Sequence, residues 1–193
     1  MSRKKWMIAG GAGLVVVIIA VVLLLTRTGS PAASNDGLTR TFNNSPTGFT
    51  FRYPDGWQYT IPMQGLLVIG AADTMNNSTP GPTFTVQRSE PLSVYGTLDD
   101  ALELYLRRGP MRPDRSWAKL GEIAKSTFAG RDALVVDIQG KENEVSPELR
   151  AHVLITTSQN TFVYTIILTA PAADWATQEP TLTAMLNSLQ MSE

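Results

Sequence analysis

The chain of 193 residues has no cysteine and a single histidine, His152. Without cysteine it has no disulfide framework, iron–sulfur cluster, thiol nucleophile or lipid anchor attached to cysteine. A zinc site would lack its usual cysteine and histidine ligands. A folded domain must therefore depend on an apolar core alone, and about 150 residues are enough to build one.

The chain as a whole also lacks a large net charge. The chain has 16 Lys+Arg and 17 Asp+Glu. Four of the basic residues (Arg3, Lys4, Lys5 and Arg27) flank an apolar run near the N-terminus. Removing these 4 from 16 leaves 12 basic against 17 acidic residues, a net charge of −5 for the rest of the chain. A nucleic-acid-binding domain is usually basic, so we do not expect nucleic acid as a partner.

A catalytic motif is not visible around the one histidine. His152 lies in a predicted strand with Arg150 and Leu154 on one face and Ala151 and Val153 on the other. This pattern favours a surface or structural histidine, with a general base or a metal ligand as the alternative. We therefore predict that the protein is not an enzyme.

Two acidic groups of the sequence have ordinary explanations. One group, Asp99, Asp100 and Glu103, occupies the first turn of a predicted helix, where negative charge complements the helix dipole. Another, Glu142, Glu144 and Glu148, lies in a predicted solvated loop. Metal binding by carboxylates, including calcium in the loop, is the alternative for both groups. We predict no metal and no cofactor.

The longest apolar run covers residues 6–25 and contains no charged residue. A helix of this length is about 30 Å long, which matches the hydrocarbon thickness of a bilayer. The run therefore predicts a single transmembrane helix. A cleaved signal peptide and a buried soluble helix are the alternatives. Three positive residues precede the run and one closely follows it, so the N-terminus is predicted to be cytoplasmic and the rest extracytoplasmic.

Small residues cluster near the start of this run. Ala9, Gly10 and Gly13 could form a face on which transmembrane helices approach one another closely. Simple tolerance of glycine in a membrane helix is the alternative. We keep these three residues as candidates for helix packing.

The sequence predicts three regions along the chain. Residues 1–27 form a cytoplasmic tip and the anchor, residues 28–47 form a flexible linker, and residues 48–193 form one folded domain. The linker is small and polar, with Leu38 and Phe42 as its only large apolar residues, and Phe42 is an alternative start of the fold. Its reach of roughly 25 Å would hold the domain close to the bilayer.

The domain is predicted to be α+β, with a twisted, mainly antiparallel sheet covered by helices. Alternating patterns predict strands over residues 48–53, 57–61, 66–71, 83–88, 118–128, 131–140, 149–158 and 161–169. Residues 73–82 are predicted to form a loop. A helix should begin after Thr97, with a capping box to Asp100, and end at Gly109. A last helix should follow Pro180.

Several short motifs occur in an order that resembles the PsbP family, the extrinsic proteins of the oxygen-evolving side of photosystem II and bacterial proteins of the same fold. The resemblance covers about residues 48–189. Its motifs are FRYPDGW at 51–57, Gly130-Arg131, RAHVL at 150–154, TFVYT at 161–165, Asp174-Trp175 and LNSL at 186–189. It implies an αβα sandwich and a non-enzymatic protein that docks on a membrane complex and helps to assemble or stabilise it.

Two departures weaken the link to photosystem II itself. PsbP proper is soluble, whereas this chain is predicted to be anchored, and the Arg–His pair of the family is split here by Ala151. We therefore expect an extracytoplasmic accessory subunit or assembly factor of a photosynthetic or bioenergetic integral-membrane complex. A solute- or ion-binding module is the alternative, followed by a hydrolase. An enzyme needs a pocket with convergent polar groups, whereas a docking module needs only a surface patch.

One basic segment is the best candidate for a docking surface. It contains Arg107, Arg108, Arg112, Arg115 and Trp117 in a domain that is otherwise acidic. Arginine and tryptophan are enriched at interface hot spots. The alternatives are weak contact with anionic lipid and a solvated loop whose Trp117 packs on the core.

Overall fold

The computed structural model describes residues 37–44, 48–77, 80–158 and 161–191. The predicted transmembrane run at 6–25, with Ala9, Gly10 and Gly13, lies outside these residues. Within them, none of the helices has the length and apolar character needed to cross a bilayer.

The described part of the chain contains eleven strands, four α-helices and one 3₁₀ turn. The strands are β1 Leu38–Asn44, β2 Phe49–Pro54, β3 Trp57–Met63, β4 Leu66–Ala71, β5 Thr83–Pro91, β6 Ala118–Lys119, β7 Ala124–Phe128, β8 Arg131–Gly140, β9 Leu149–Ser158, β10 Phe162–Pro171 and β11 Gln190–Met191. The helices are α1 Ala72–Asn77, α2 Leu92–Tyr95, α3 Leu98–Arg108 and α4 Trp175–Ser188, and the 3₁₀ turn is Ala172–Asp174.

The strands form two sheets. The large sheet has the order β3-β4-β5-β10-β9-β8-β6, with β7 also paired to β8, and the small sheet has the order β1-β2-β11. All strand pairs of the described residues are antiparallel. The predicted α+β class with a mainly antiparallel sheet is confirmed, and strands β4, β8 and β9 have the predicted bounds.

Apolar residues alternate between the two faces of the large sheet. On β8, Leu134, Val136 and Ile138 contribute to one buried cluster, together with α3, whereas Ala133 and Val135 contribute to the other. The second cluster also contains residues of α4 and of the small sheet. We call the two sides the α3 face and the α4 face. The sheet thus lies between helices, which is the sandwich arrangement that the family resemblance implies.

Helix α3 begins and ends at the predicted residues. The Thr97 hydroxyl accepts a hydrogen bond from the Asp100 amide at 3.1 Å, and the Asp100 carboxylate accepts one from the Thr97 amide at 3.2 Å. Ala101, Leu102 and Leu106 are buried against the sheet. The predicted capping box is therefore confirmed.

The folded domain begins earlier than predicted. Strand β1 lies inside the predicted linker at 28–47, pairs with β2 and buries Leu38 and Phe42. The register of β1 shifts between Leu38 and Arg40, and polar residues occupy its other positions, so a regular alternation does not mark the strand in the sequence. The linker boundary at residue 48 is wrong for this reason.

Two other predicted segments differ from the structure. The predicted loop at 73–82 contains helix α1. The single strand predicted at 118–128 is divided into β6 and β7, which pair with different parts of the same edge of β8. The side chains of Leu120 and Ile123, between the two short strands, are exposed.

The last helix is longer than predicted because proline is tolerated inside it. Helix α4 begins at Trp175, and Pro180 is its sixth residue. Proline lacks an amide hydrogen and usually interrupts a helix, which is why the sequence pattern placed the start after it. Leu182, Met185 and Leu186 of this helix are buried.

Candidate functional site

Two arginines of the candidate docking surface lie at the end of α3. Arg107 and Arg108 are exposed and belong to the last helical turn. Positive charge at this end of a helix is favoured by the helix dipole. Neither side chain forms an ion pair within the part of the chain that the structure describes. Their charge is therefore available to a partner.

The other two arginines have acidic partners in the same domain. Arg112 binds the Asp114 carboxylate through Nε at 2.9 Å and Nη2 at 2.8 Å. This hydrogen bond holds the pKa of Asp114 below its usual range. Arg115 contacts Glu142 at 2.8 Å. The four arginines that the sequence grouped together thus divide into two exposed cations and two local ion pairs.

The Trp117 side chain packs on the apolar core. Its side chain is partly buried against the apolar cluster of the α3 face, and so is that of Met111. The Trp117 Nε1 atom is buried and has no hydrogen-bond partner in the structure. This contact anchors the basic segment to the core.

The structure also brings together three polar residues that the sequence did not connect. The β8–β9 register places Asp137 opposite His152. The Asp137 carboxylate lies 2.7 Å from His152 Nδ1 and accepts a 3.0 Å hydrogen bond from Arg150 Nη2. The Arg150 guanidinium lies over the Trp175 ring, 4.9 Å from its centroid. A chain of contacts thus joins β8, β9 and the start of α4.

Asp137 is the centre of this cluster. Partial burial opposes its ionisation, but the hydrogen bonds and charges of His152 and Arg150 outweigh that effect and lower the pKa of Asp137. Since Asp137 engages Nδ1 of His152, the arrangement fixes the ring orientation. No group of three or more histidine and acidic side chains within residues 37–44, 48–77, 80–158 and 161–191 could hold a metal ion.

Asp137→Asn should destabilise the domain in a pH-dependent way. The pKa of Asp137 is lower in the folded state, so its contribution is complete above about pH 5 and is lost as the pH falls below about 4. At pH 7 we expect a loss of about 1–2 kcal/mol, at the low end for charged hydrogen bonds because the group is one-third exposed. At pH 3 the variant and the wild type should differ much less.

Urea unfolding at the two pH values measures this effect. Asp132→Asn is the matched control, since Asp132 is an exposed residue of the same strand. It should change stability little at either pH. An equal loss of unfolding free energy in Asp137→Asn at pH 3 and pH 7 would contradict a stabilising role of the ionised Asp137 carboxylate.

Comparison with known families identifies the fold independently. Residues 37–191 match the family model described as PsbP. This match covers most of the chain and begins just before β1, in agreement with the corrected start of the domain. No curated protein resembles the chain closely enough to count as a match.

Several solved structures share the fold at low sequence identity. Cyanobacterial PsbP (CyanoP) from Synechocystis sp. PCC 6803 is 17% identical, with a TM-score of 0.57 over 85% of this chain and 98% of that one. The Ran-binding protein Mog1p of Saccharomyces cerevisiae is 12% identical, with a TM-score of 0.52 over 81% and 97%. LpqN of Mycobacterium tuberculosis, described as involved in cell envelope biogenesis, is 13% identical, with a TM-score of 0.51 over 75% and 83%. At these identities the likeness shows the fold alone.

Proposed function

This chain belongs to the PsbP family, and from that premise we propose that it is an accessory protein that binds a protein complex in a membrane. In this proposal the domain catalyses no reaction. It docks on an integral-membrane partner and stabilises it or assists its assembly.

The observation that carries the proposal is the pair of exposed arginines at the end of α3. Arg107 and Arg108 lie in a domain whose acidic residues outnumber its basic ones, and they have no ion pair among the described residues. Holding two like charges side by side without a counter-ion gives the domain itself little stability. The two positive charges can instead steer and bind an acidic surface of a partner.

Location at the membrane is part of the proposal and rests on the sequence. The uncharged run at 6–25 is long enough for one span, and the charges around it predict that the domain lies on the extracytoplasmic side. A tether raises the effective concentration of the domain near other membrane proteins. A modest docking affinity is then sufficient for stable association.

A binding role fits the position of the single histidine better than a catalytic one. His152 is held through Nδ1 by Asp137 and lines none of the three described cavities of about 350, 500 and 300 Å³. A general base needs access to a bound substrate. We therefore propose that the protein is not an enzyme and that His152 has a structural role.

Reversal of both exposed arginines should weaken docking. The Arg107→Glu/Arg108→Glu variant of the full-length tagged protein should recover at least tenfold less of its membrane partner from detergent-solubilised membranes of the native cells. Raising the salt concentration should reduce recovery by the wild type in the same direction, because the Debye length shrinks from about 10 Å at 0.1 M to about 3 Å at 1 M.

The control has the same change in net charge at another position. Lys119→Glu/Lys125→Glu alters two exposed lysines of β6 and β7 and should keep normal recovery. Both variants should unfold at the wild-type temperature. Equal recovery by the arginine variant and the wild type would refute docking through this surface. Loss of binding to anionic vesicles without loss of any protein partner would indicate lipid contact instead.

A further inference from the structure

A cavity of about 300 Å³ lies between α3 and the large sheet. This volume is at the lower end of the range for small-molecule sites. Leu104 of α3, Ile155 of β9 and Val163 of β10 give it an apolar wall. We call it the α3 cavity.

Polar side chains also converge on the α3 cavity. They are Gln87, Ser89, Tyr95, Tyr105, Arg108 and Thr165. None of these side chains makes a hydrogen bond or an ion pair with another residue that the structure describes. An apolar wall faced by several unused donors is the usual composition of a ligand site.

Thr165 is the most informative of these residues. It lies in the central strand β10, and its relative exposure is 2%. It is on the same face as Val163, two residues away, and opposite Ile155 on β9. The Thr165 hydroxyl is not among the fully buried polar atoms that lack a partner in the described residues, so it is open to the cavity. It is therefore available to a ligand.

Charge and protonation restrict the class of ligand. Arg108 is the only charged side chain among the described residues that line the α3 cavity. Burial, reinforced by the charge of Glu142 and opposed by Arg115, raises the pKa of Tyr105 to about 12. The phenol therefore stays protonated at physiological pH and can donate a hydrogen bond to an anion.

We propose that the α3 cavity binds a carboxylate that carries an apolar group. The carboxylate pairs with the Arg108 guanidinium, whose planar fork matches its geometry. Hydroxyl groups of Tyr105 and Thr165 donate to the ligand, and its apolar group lies against Leu104, Ile155 and Val163. This binding does not require a membrane partner, although it uses Arg108, which also belongs to the proposed docking surface.

Calorimetric titration of the full-length protein in lipid nanodiscs tests the proposal, with empty nanodiscs as the blank. The probes are 3-phenylpropionate, for a free acid, and acetyl-Ala-Phe with a free carboxyl end, for a chain terminus. Each is compared with its uncharged amide. We expect at least one acid to bind with a Kd below about 1 mM and its amide to bind at least tenfold more weakly. The tighter of the two acids indicates the source of the carboxylate.

Two single substitutions that each remove one positive charge provide the matched variants. Arg108→Gln should weaken binding of the acid at least tenfold. Lys119→Gln, which removes an exposed charge outside the cavity, should leave binding unchanged. Equal losses in both variants, equal affinity for acid and amide, or no binding of either acid at millimolar concentration would each overturn the proposal.

Thr165→Val separates a binding role from a structural one. Without ligand, the variant should unfold at about the wild-type Tm, because valine has a shape similar to that of threonine and the Thr165 side chain makes no hydrogen bond with another described residue. Its affinity for the acid should fall severalfold. A lower Tm in the absence of ligand would show that the hydroxyl serves the fold, and this would also contradict the proposal.

Discussion

Trp175→Ala should lower the free energy of unfolding by about 3–5 kcal/mol, the usual cost of removing a buried large aromatic side chain. Trp175 is the first residue of α4, its relative exposure is 4%, and it packs in the cluster of the α4 face. Its ring also supports the Arg150 guanidinium at 4.9 Å. The substitution thus leaves a cavity and removes one side of the contact that holds Arg150 beside Asp137.

Trp175→Phe is the matched control for this prediction. Phenylalanine keeps an aromatic face for Arg150, and the Trp175 Nε1 atom has no hydrogen bond to lose. Trp175→Phe should lose less than half as much unfolding free energy as Trp175→Ala, measured by urea unfolding at pH 7. A loss below about 1.5 kcal/mol in the alanine variant would show that the site collapses or that the ring is less buried than described.

Gly140→Ala should also destabilise the domain, by about 1–3 kcal/mol or more. A Cβ atom at Gly140 would lie 2.4 Å from the Ser116 carbonyl oxygen and 2.5 Å from Trp117 Cα. Both are backbone atoms, so no side-chain rotation can relieve the overlap. The φ angle of Gly140 is outside the left-handed region, so the effect is steric rather than conformational. The basic segment would have to move away from the end of β8.

Gly121→Ala is the corresponding control, because a Cβ atom there meets no other atom within 4 Å. It should leave the Tm within about 2 °C of the wild type. The fluorescence of Trp117, which packs close to the clash, should change in Gly140→Ala and remain normal in Gly121→Ala. A stable Gly140→Ala variant with unchanged fluorescence would mean that the segment packs less closely on β8 than the structure shows.

Local sequence signals predicted those elements whose ends depend on neighbouring residues. Helix α3 begins at a capping box and ends at a glycine, and both signals act within a few residues. Strand β1 was missed because only Leu38 and Phe42 mark it, and its stability comes from pairing with β2 and from burial. Tertiary contacts of this kind leave a weak trace in a single sequence.

The candidate sites also contain some contacts that the sequence could predict and others that it could not. The Asp137–His152 pair could have been predicted, since the expected strand ends at Gly140 and Leu149 fix the antiparallel register that places the two residues opposite each other. The Arg115–Glu142 ion pair could not, because it joins two irregular segments whose approach depends on the close packing of Gly140. The division of the four arginines into paired and exposed ones required the structure for the same reason.

We propose that the protein associates with a larger membrane complex. The most direct measurement is native gel electrophoresis of membranes solubilised from the native cells, with antibody detection of the full-length protein at low and high salt. At low salt the protein should migrate with a much larger complex, and at high salt it should migrate at its own size. Migration at its own size under both conditions, with the domain folded, would contradict the claim.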